Sequence, residues 1–265
     1  MHPSSDRTVV EWYPINALRN LATSQARTEL VFLVDVDFVP AAGIQQTLAT
    51  QQQLQAMLTC SVTALVIPAF EMGTTADAET GNGTLPGSTT CAVELPTTKA
   101  EILPLVASGS AKGFHVEHFP QGHSNTDYGR WAVTGAPYEV KYSQYFEPYI
   151  VASRRWLPSY DERFEGYGMN KISHLYHTAT LGCRFVVYPS GFIVAADHDK
   201  SPSWNKTYGK AASPARRKQI ATLYQDFKRR LPPLAPPSSG PLLGDWLAPL
   251  APPHAKDPHA KDPYA

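Results

Sequence analysis

Cysteine is scarce in this chain. Cys60, Cys91 and Cys183 are the only three in 265 residues, too few for a closed disulfide framework, and none lies in a C-x-x-C or zinc-ligand spacing. A thiol mechanism is therefore disfavoured. Charge is scarce as well: only 17% of residues are charged, and 23 Lys+Arg balance 23 Asp+Glu to a net charge of zero. Bulk attraction to a polyanion is thus excluded as a mode of binding, and any charged ligand has to be met locally. Long apolar runs are missing too. No stretch approaches the roughly 18 to 20 residues of a membrane span, and the opening MHPSSDRTVV has no apolar signal-peptide core, so the chain as written reads as soluble.

What is present is a folded protein's composition, 43% hydrophobic and 11% aromatic, in a length that suits one large domain or two small ones. Proline, at 24 residues, gathers towards the end. From Leu231 the text runs LPPLAPPSSGPLLGDWLAPLAPPHAKDPHAKDPYA, with HAKDP in tandem, which predicts an extended, disordered tail over 231–265 behind a folded unit over 1–230. The sequons at Asn82 and Asn205 are weak indications of compartment.

Within the folded part, apolar runs alternate with helical periodicity, which predicts an α/β fold with a mostly parallel sheet flanked by helices. Helices are expected over 13–26, 41–58, 97–107, 168–181 and 213–229. Strands are expected over 29–34, 64–68, 184–188 and 192–196, and a mobile loop over 73–90.

The most informative segment is Leu30-Val-Phe-Leu-Val-Asp35-Val-Asp37-Phe-Val-Pro40, where an apolar run ends in two acids one residue apart. On an extended chain positions i and i+2 share a face, so both acids would project at the carboxyl edge of a buried parallel strand, where open α/β sheets place ligands. Two neighbouring carboxylates repel unless a cation lies between them, and hard oxygen donors suit magnesium or manganese. The competing reading is that the acids cap the turn that follows.

Around this segment the chain resembles the glycosyltransferase domain of LARGE-type proteins and of beta-1,4-glucuronyltransferase, glycosyltransferase family 49, over about residues 12 to 210. Six pieces stand in the family's order. Tyr13-Pro-Ile-Asn16-Ala-Leu-Arg19-Asn20 and the D-x-D strand come first, followed by Thr126-Asp-Tyr128-Gly-Arg-Trp131 and Phe146-Glu147-Pro-Tyr149. Phe164-Glu165-Gly166-Tyr-Gly168-Met-Asn170-Lys171 and the stretch Pro189 to His198 complete them.

The resemblance implies a GT-A-like, Rossmann-related fold. It further implies a metal-dependent inverting transfer of a sugar, glucuronic acid in the relatives, from a UDP-sugar to a glycan or glycoprotein acceptor, in the Golgi or secretory pathway. By the same resemblance Asp35, Asp37 and His198 hold manganese or magnesium, while Asn16, Arg19, Asn20 and Asp35 meet the donor. Tyr128, Trp131, Glu147, Gly168, Asn170 and Lys171 are the candidates for the acceptor side. The general base is expected among Asp161, Glu165 and Glu147. Ala195 and Asp197 depart from the family pattern. Only about twelve residues precede Tyr13, where a GT-A domain normally has a strand and helix that grip the base, so a truncated donor cradle is expected. The alternative is a degenerate, non-catalytic module that binds or scaffolds glycans.

Overall fold

A computed structural model of the chain describes residues 13–73, 95–195, 202–210, 212 and 214–236. The elements run α1 (Ile15–Gln25), β1 (Leu30–Phe32), β2 (Phe38–Pro40), α2 (Ile44–Thr50), α3 (Gln52–Cys60), β3 (Thr63–Ile67), β4 (Ala69–Met72), α4 (Lys99–Ala107) and β5 (Ala111–Gly113). They continue with α5 (Pro120–His123), α6 (Tyr128–Val133), β6 (Tyr138–Val140), β7 (Tyr149–Ser153), α7 (Asn170–Thr180), β8 (Arg184–Val187), β9 (Ile193–Ala195), α8 (Pro202–Tyr208) and α9 (Pro214–Arg229). His198, Cys91, most of the expected loop over 73–90 and the tail from 237 onward lie outside the described residues. Among the described residues, Cys60 and Cys183 are free thiols.

Helices flank two sheets, one of order β1-β7-β3-β8-β6 and one of order β2-β9-β4-β5. The mixed α/β architecture agrees with expectation, but its parallel share does not. Among the described residues only β3 with β8 and β4 with β9 run parallel, and the other five pairings are antiparallel. The apolar runs reveal burial, not direction: β3 and β8 are buried at every residue, as a strand covered on both faces should be, yet each has an antiparallel neighbour as well. The helix expected over 41–58 is two helices broken at Gln51, whose backbone is extended. The break turns Ile44 from α2 and Leu54, Met57 and Leu58 from α3 onto one apolar cluster with Leu65, Tyr149 and Val186. A second cluster packs Val66, Trp131, Phe146, Phe185 and Phe192, and a third joins Phe164 and Ile172 to Tyr224 and Phe227 of α9.

Local chemistry accounts for where several elements begin. Thr98 and Glu101 form a reciprocal capping box at the start of α4, which carries the helix past Pro104. Before α7, Gly166, Gly168 and Met169 all have positive φ. Gly168 (φ 116°) is needed twice over, because a Cβ there would also lie 3.0 Å from the Tyr208 hydroxyl.

His174 on α7 is buried and stacked on Tyr160, with ring centroids 3.8 Å apart. Its Nε2 donates to the Pro158 carbonyl at 2.9 Å, and its Nδ1 has no partner. Burial pushes its pKa from 6.5 down to about 3. The folded state therefore refuses a proton that the unfolded chain accepts: stability is whole above about pH 6.5 and is lost as pH falls towards 3, by up to about 1.4 kcal/mol per pH unit. Urea unfolding at pH 5.0 should show about 2 kcal/mol less stability from this residue than at pH 7.5, and His174→Gln, which keeps a donor for Pro158, should flatten the dependence by that amount. An unchanged slope in the variant would remove His174 as its source.

Candidate active site

The site is built where β1 ends. Its neighbour β7 runs antiparallel to it with Phe32 opposite Val151, so Tyr149, two residues earlier on β7, stands across from the chain just beyond β1. Asp35 follows there, and Tyr149 donates its hydroxyl hydrogen to Asp35 Oδ2 at 2.8 Å.

Asp35 and Asp37 do not share the face of an extended strand as expected. β1 is a half-buried edge strand of three residues, and Asp35 opens a turn closed by the Phe38 N–H donating to the Asp35 carbonyl at 3.2 Å, with Val36 fully exposed at its tip. Both acids stay within electrostatic reach of Tyr149 and of Tyr167.

Asp35 is enclosed by donors. Arg19 Nη2 reaches Oδ1 at 2.8 Å, and Lys171 Nζ reaches Oδ2 at 3.5 Å while sitting 3.8 Å over the Tyr149 ring. Burial alone would raise its pKa, but Lys171, Arg19 and the Tyr149 hydroxyl together hold the carboxyl well below the usual range. The group therefore stays ionised. The Tyr149 hydroxyl moves the opposite way, pushed well above its ordinary value by burial and by Asp35, and so remains a hydrogen-bond donor.

The Tyr13–Asn20 motif divides its labour by helical spacing. Asn16 and Asn20, four residues apart on α1, face the 158–162 loop: Asn16 donates to the Asp161 carbonyl at 2.9 Å, and Asn20 both donates to the Tyr160 carbonyl at 2.9 Å and accepts from the Tyr160 N–H at 2.8 Å. They are clamps that hold α1, and Arg19, of the three, projects to Asp35. Arg19 also lies 5.3 Å from the Tyr160 ring centroid, so the clamped loop fixes the guanidinium as well.

Glu147 lies half-buried between Phe146 and Pro148, its N–H donating to the Gly122 carbonyl at 2.9 Å. Burial raises its pKa. Asp35 adds to the shift, while Lys171 and Arg19 oppose it. Glu147 thus belongs to the same electrostatic group as Asp35, Arg19 and Lys171. The other two candidate bases do not. Asp161 is paired to Arg163, whose hydrogen bonds lower its pKa, and Glu165 is exposed at the surface.

Three of the expected acceptor residues have structural partners within the fold. Trp131 is buried in the core and donates Nε1–H to the Gly191 carbonyl at 3.3 Å, so its ring offers no face to a sugar. Tyr128 donates to the Ala69 carbonyl at 2.8 Å, and its ring closes over Gly113, where a Cβ would come within 2.6 Å. Asn170 donates to the Gly166 carbonyl at 3.0 Å and so ties the loop to the start of α7. Sequence reasoning assigned no role to Tyr149, although it stands in the quoted Phe146–Tyr149 motif. It also passed over His123, a buried imidazole stacked 6.2 Å from the Tyr149 ring, whose Nε2 has no partner.

Carboxylate oxygens are the donor type a hard divalent cation takes; Asp35 is kept ionised, and Asp37 follows it two residues later in the turn. His198 lies outside the described residues, but β9 ends at Ala195 directly opposite Phe38, the residue after Asp37. Among the described residues no group of three or more His, Cys, Asp or Glu side chains forms a metal cluster. No helix among the described residues is long and apolar enough to cross a membrane.

Comparison with known proteins adds kinship to this geometry. Residues 4–232 match the family profile described as glycosyl-transferase for dystroglycan. The chain is 36% identical over 219 residues to the xylosyl- and glucuronyltransferase LARGE2 of Mus musculus, covering 83% of this chain and 29% of that protein. The human LARGE2 is 33% identical over 219 residues, with 83% and 28% covered, and the human LARGE1 is 31% identical over 197 residues, with 74% and 23% covered. The chain thus spans less than a third of the length of these curated relatives. With a match across most of its length, this chain belongs to the family of glycosyl-transferases for dystroglycan.

Proposed function

We propose that the chain forms a glycosyltransferase site that moves a sugar from a UDP-sugar to a hydroxyl of a glycan acceptor, with inversion and with a divalent cation. Xylose and glucuronic acid are the sugars in the relatives' names, and glucuronic acid is the proposed donor sugar. Asp35 carries this assignment: its carboxylate is ionised and held by Arg19, Lys171 and Tyr149 next to Asp37. Asp35 and Asp37 would hold manganese or magnesium, with His198 as the proposed third ligand. The ion, when bound, neutralises charge on the leaving diphosphate. Lys171 and Arg19 set a fixed positive field at the same place, so part of that charge is met by the protein itself.

Tyr149 keeps the Asp35 carboxylate in one orientation. Glu147, whose burial raises its proton affinity, takes the proton from the attacking hydroxyl. Isothermal titration of UDP with and without manganese tests the donor half directly. Binding should tighten at least tenfold with the ion present, and UDP binding of equal strength in both conditions would overturn the metal-dependent reading.

A further inference from the structure

With Trp131 buried and Tyr128 packed against the core, a different set of rings is left on and beside the loop that leads into Lys171. Tyr167 lies in the Gly166–Gly168 loop, three residues before Asn170 opens α7, and is 39% exposed. Tyr208 ends α8 and is 37% exposed. Their centroids are 5.9 Å apart at 81°, an edge-to-face pair, and Trp204, one turn earlier on α8, lies 6.3 Å from Tyr208. Among the described residues none of the three rings belongs to the three buried apolar clusters. The two tyrosine rings, more than a third open, have apolar surface available to something outside the fold.

Their position indicates what that is. An ideal Cβ on Gly168 would lie 3.0 Å from the Tyr208 hydroxyl, so the loop that carries Tyr167 packs close against Tyr208, and the two rings form an edge-to-face corner. Arg216 reinforces it, its Nη2 donating to the Glu165 carbonyl at 2.7 Å and joining α9 to the same loop. The loop continues into Lys171, whose ammonium rests on Asp35. Both tyrosines lie within electrostatic reach of Glu147, and Tyr167 also lies within reach of Asp35 and Asp37. Aromatic faces beside a carboxylate are chemically suited to a pyranose: the ring's C–H face stacks on the aromatic surface and its hydroxyls meet the polar rim.

We propose that Tyr167 and Tyr208, backed by Trp204, form the acceptor subsite, on which the terminal pyranose of a glycan stacks with the reacting hydroxyl towards Glu147. The subsite rests on the transferase reading above for the role of Glu147, but not for the binding itself. Each ring contributes part of the stacking surface, so loss of either weakens saccharide binding about tenfold.

Ligand-observed NMR on the whole chain, with a panel of methyl pyranosides (xyloside, glucoside, galactoside and glucuronide) and with UDP titrated in parallel, tests it. At least one glycoside should show saturation transfer from the wild-type protein. That signal should fall about tenfold in Tyr208→Ala and in Tyr167→Ala, and should be retained in Tyr208→Phe, which keeps the ring face. UDP binding should be unchanged in all three variants, which also shows that they fold. Saccharide binding unaffected by either alanine variant, or absent from the wild type for the whole panel, overturns the subsite. Saccharide binding that depends on both rings in a protein that binds no UDP supports the platform and sinks the transferase reading instead.

Discussion

Asp35→Asn removes the manganese-dependent part of UDP affinity and lowers transfer by roughly 10²–10³-fold, the range that follows loss of one preorganised charge-stabilising group. The substitution changes one oxygen and the charge while leaving the side chain's shape, so its consequences are electrostatic. Arg19 and Lys171, at 2.8 and 3.5 Å from the carboxylate, lose their counter-charge together. A diphosphate can then pair with those two cations directly. Ion-independent UDP binding should therefore persist or tighten in the variant, even though turnover collapses. Calorimetry with and without manganese, alongside a transfer assay, reads both effects. A variant that loses all UDP binding in either condition would mean that Arg19 and Lys171 do not face the diphosphate. A variant that keeps full transfer would remove Asp35 from the machinery. The ionic-strength dependence should also steepen, because attraction to two uncompensated cations is screened by salt where metal coordination is not.

The abrupt change from Leu33-Val34 to Asp35 was readable from residue type alone, because a buried run can only end where charge can be solvated or paired. The arrangement of the acids was not. Strand alternation assumed that the extended chain continued past Asp35, whereas the Asp35–Phe38 turn redirects it into the second sheet, where Phe38 pairs with Ala195. No local signal marks that switch, since the Val-Phe-Val composition around it fits a continuous strand equally well. β7 escaped notice for a related reason: Tyr149–Ser153 follows a motif that drew attention to its polar member, and a five-residue strand without turn punctuation has no distinctive periodicity.

Helices fared better, because their 3.6-residue pattern survives in long segments. The observed α7, Asn170–Thr180, lies within the expected 168–181, and α9, Pro214–Arg229, within 213–229. Roles within motifs could not be ranked from spacing. Asn16, Arg19 and Asn20 are adjacent in the text, but only the loop they pack against separates two clamps from one cation, and that loop comes from residues about 140 positions away. Likewise Trp131 and Tyr208 are both large rings in a plausible place, and only burial decides that one holds the core and the other is open to a ligand.

Glu147→Gln separates chemistry from binding. The amide keeps the size and hydrogen-bonding capacity of the carboxyl but cannot take a proton from the acceptor hydroxyl. The turnover number kcat should therefore fall by about 10²–10⁴-fold, the usual worth of a positioned base, while the KM for the acceptor and the UDP–manganese affinity change by less than about threefold. The pH profile provides a second and independent reading. A base works only when deprotonated, so wild-type activity is lost as pH falls through the pKa of Glu147. Burial, with Lys171 and Arg19 opposing and Asp35 adding, raises that value above an ordinary glutamate's, which moves the acid limb upward in pH. In Glu147→Gln the limb disappears from whatever activity remains. In Asp35→Asn it should instead move to lower pH, because one like charge is removed and Lys171 and Arg19 are freed to favour the ionised form of Glu147. Two carboxylates in one field thus predict opposite signatures from equally small substitutions: a limb abolished in one case and displaced in the other. A Glu147→Gln enzyme with wild-type kcat would exclude the residue as base. An Asp35→Asn enzyme whose acid limb stays in place would show that the two groups do not share a field.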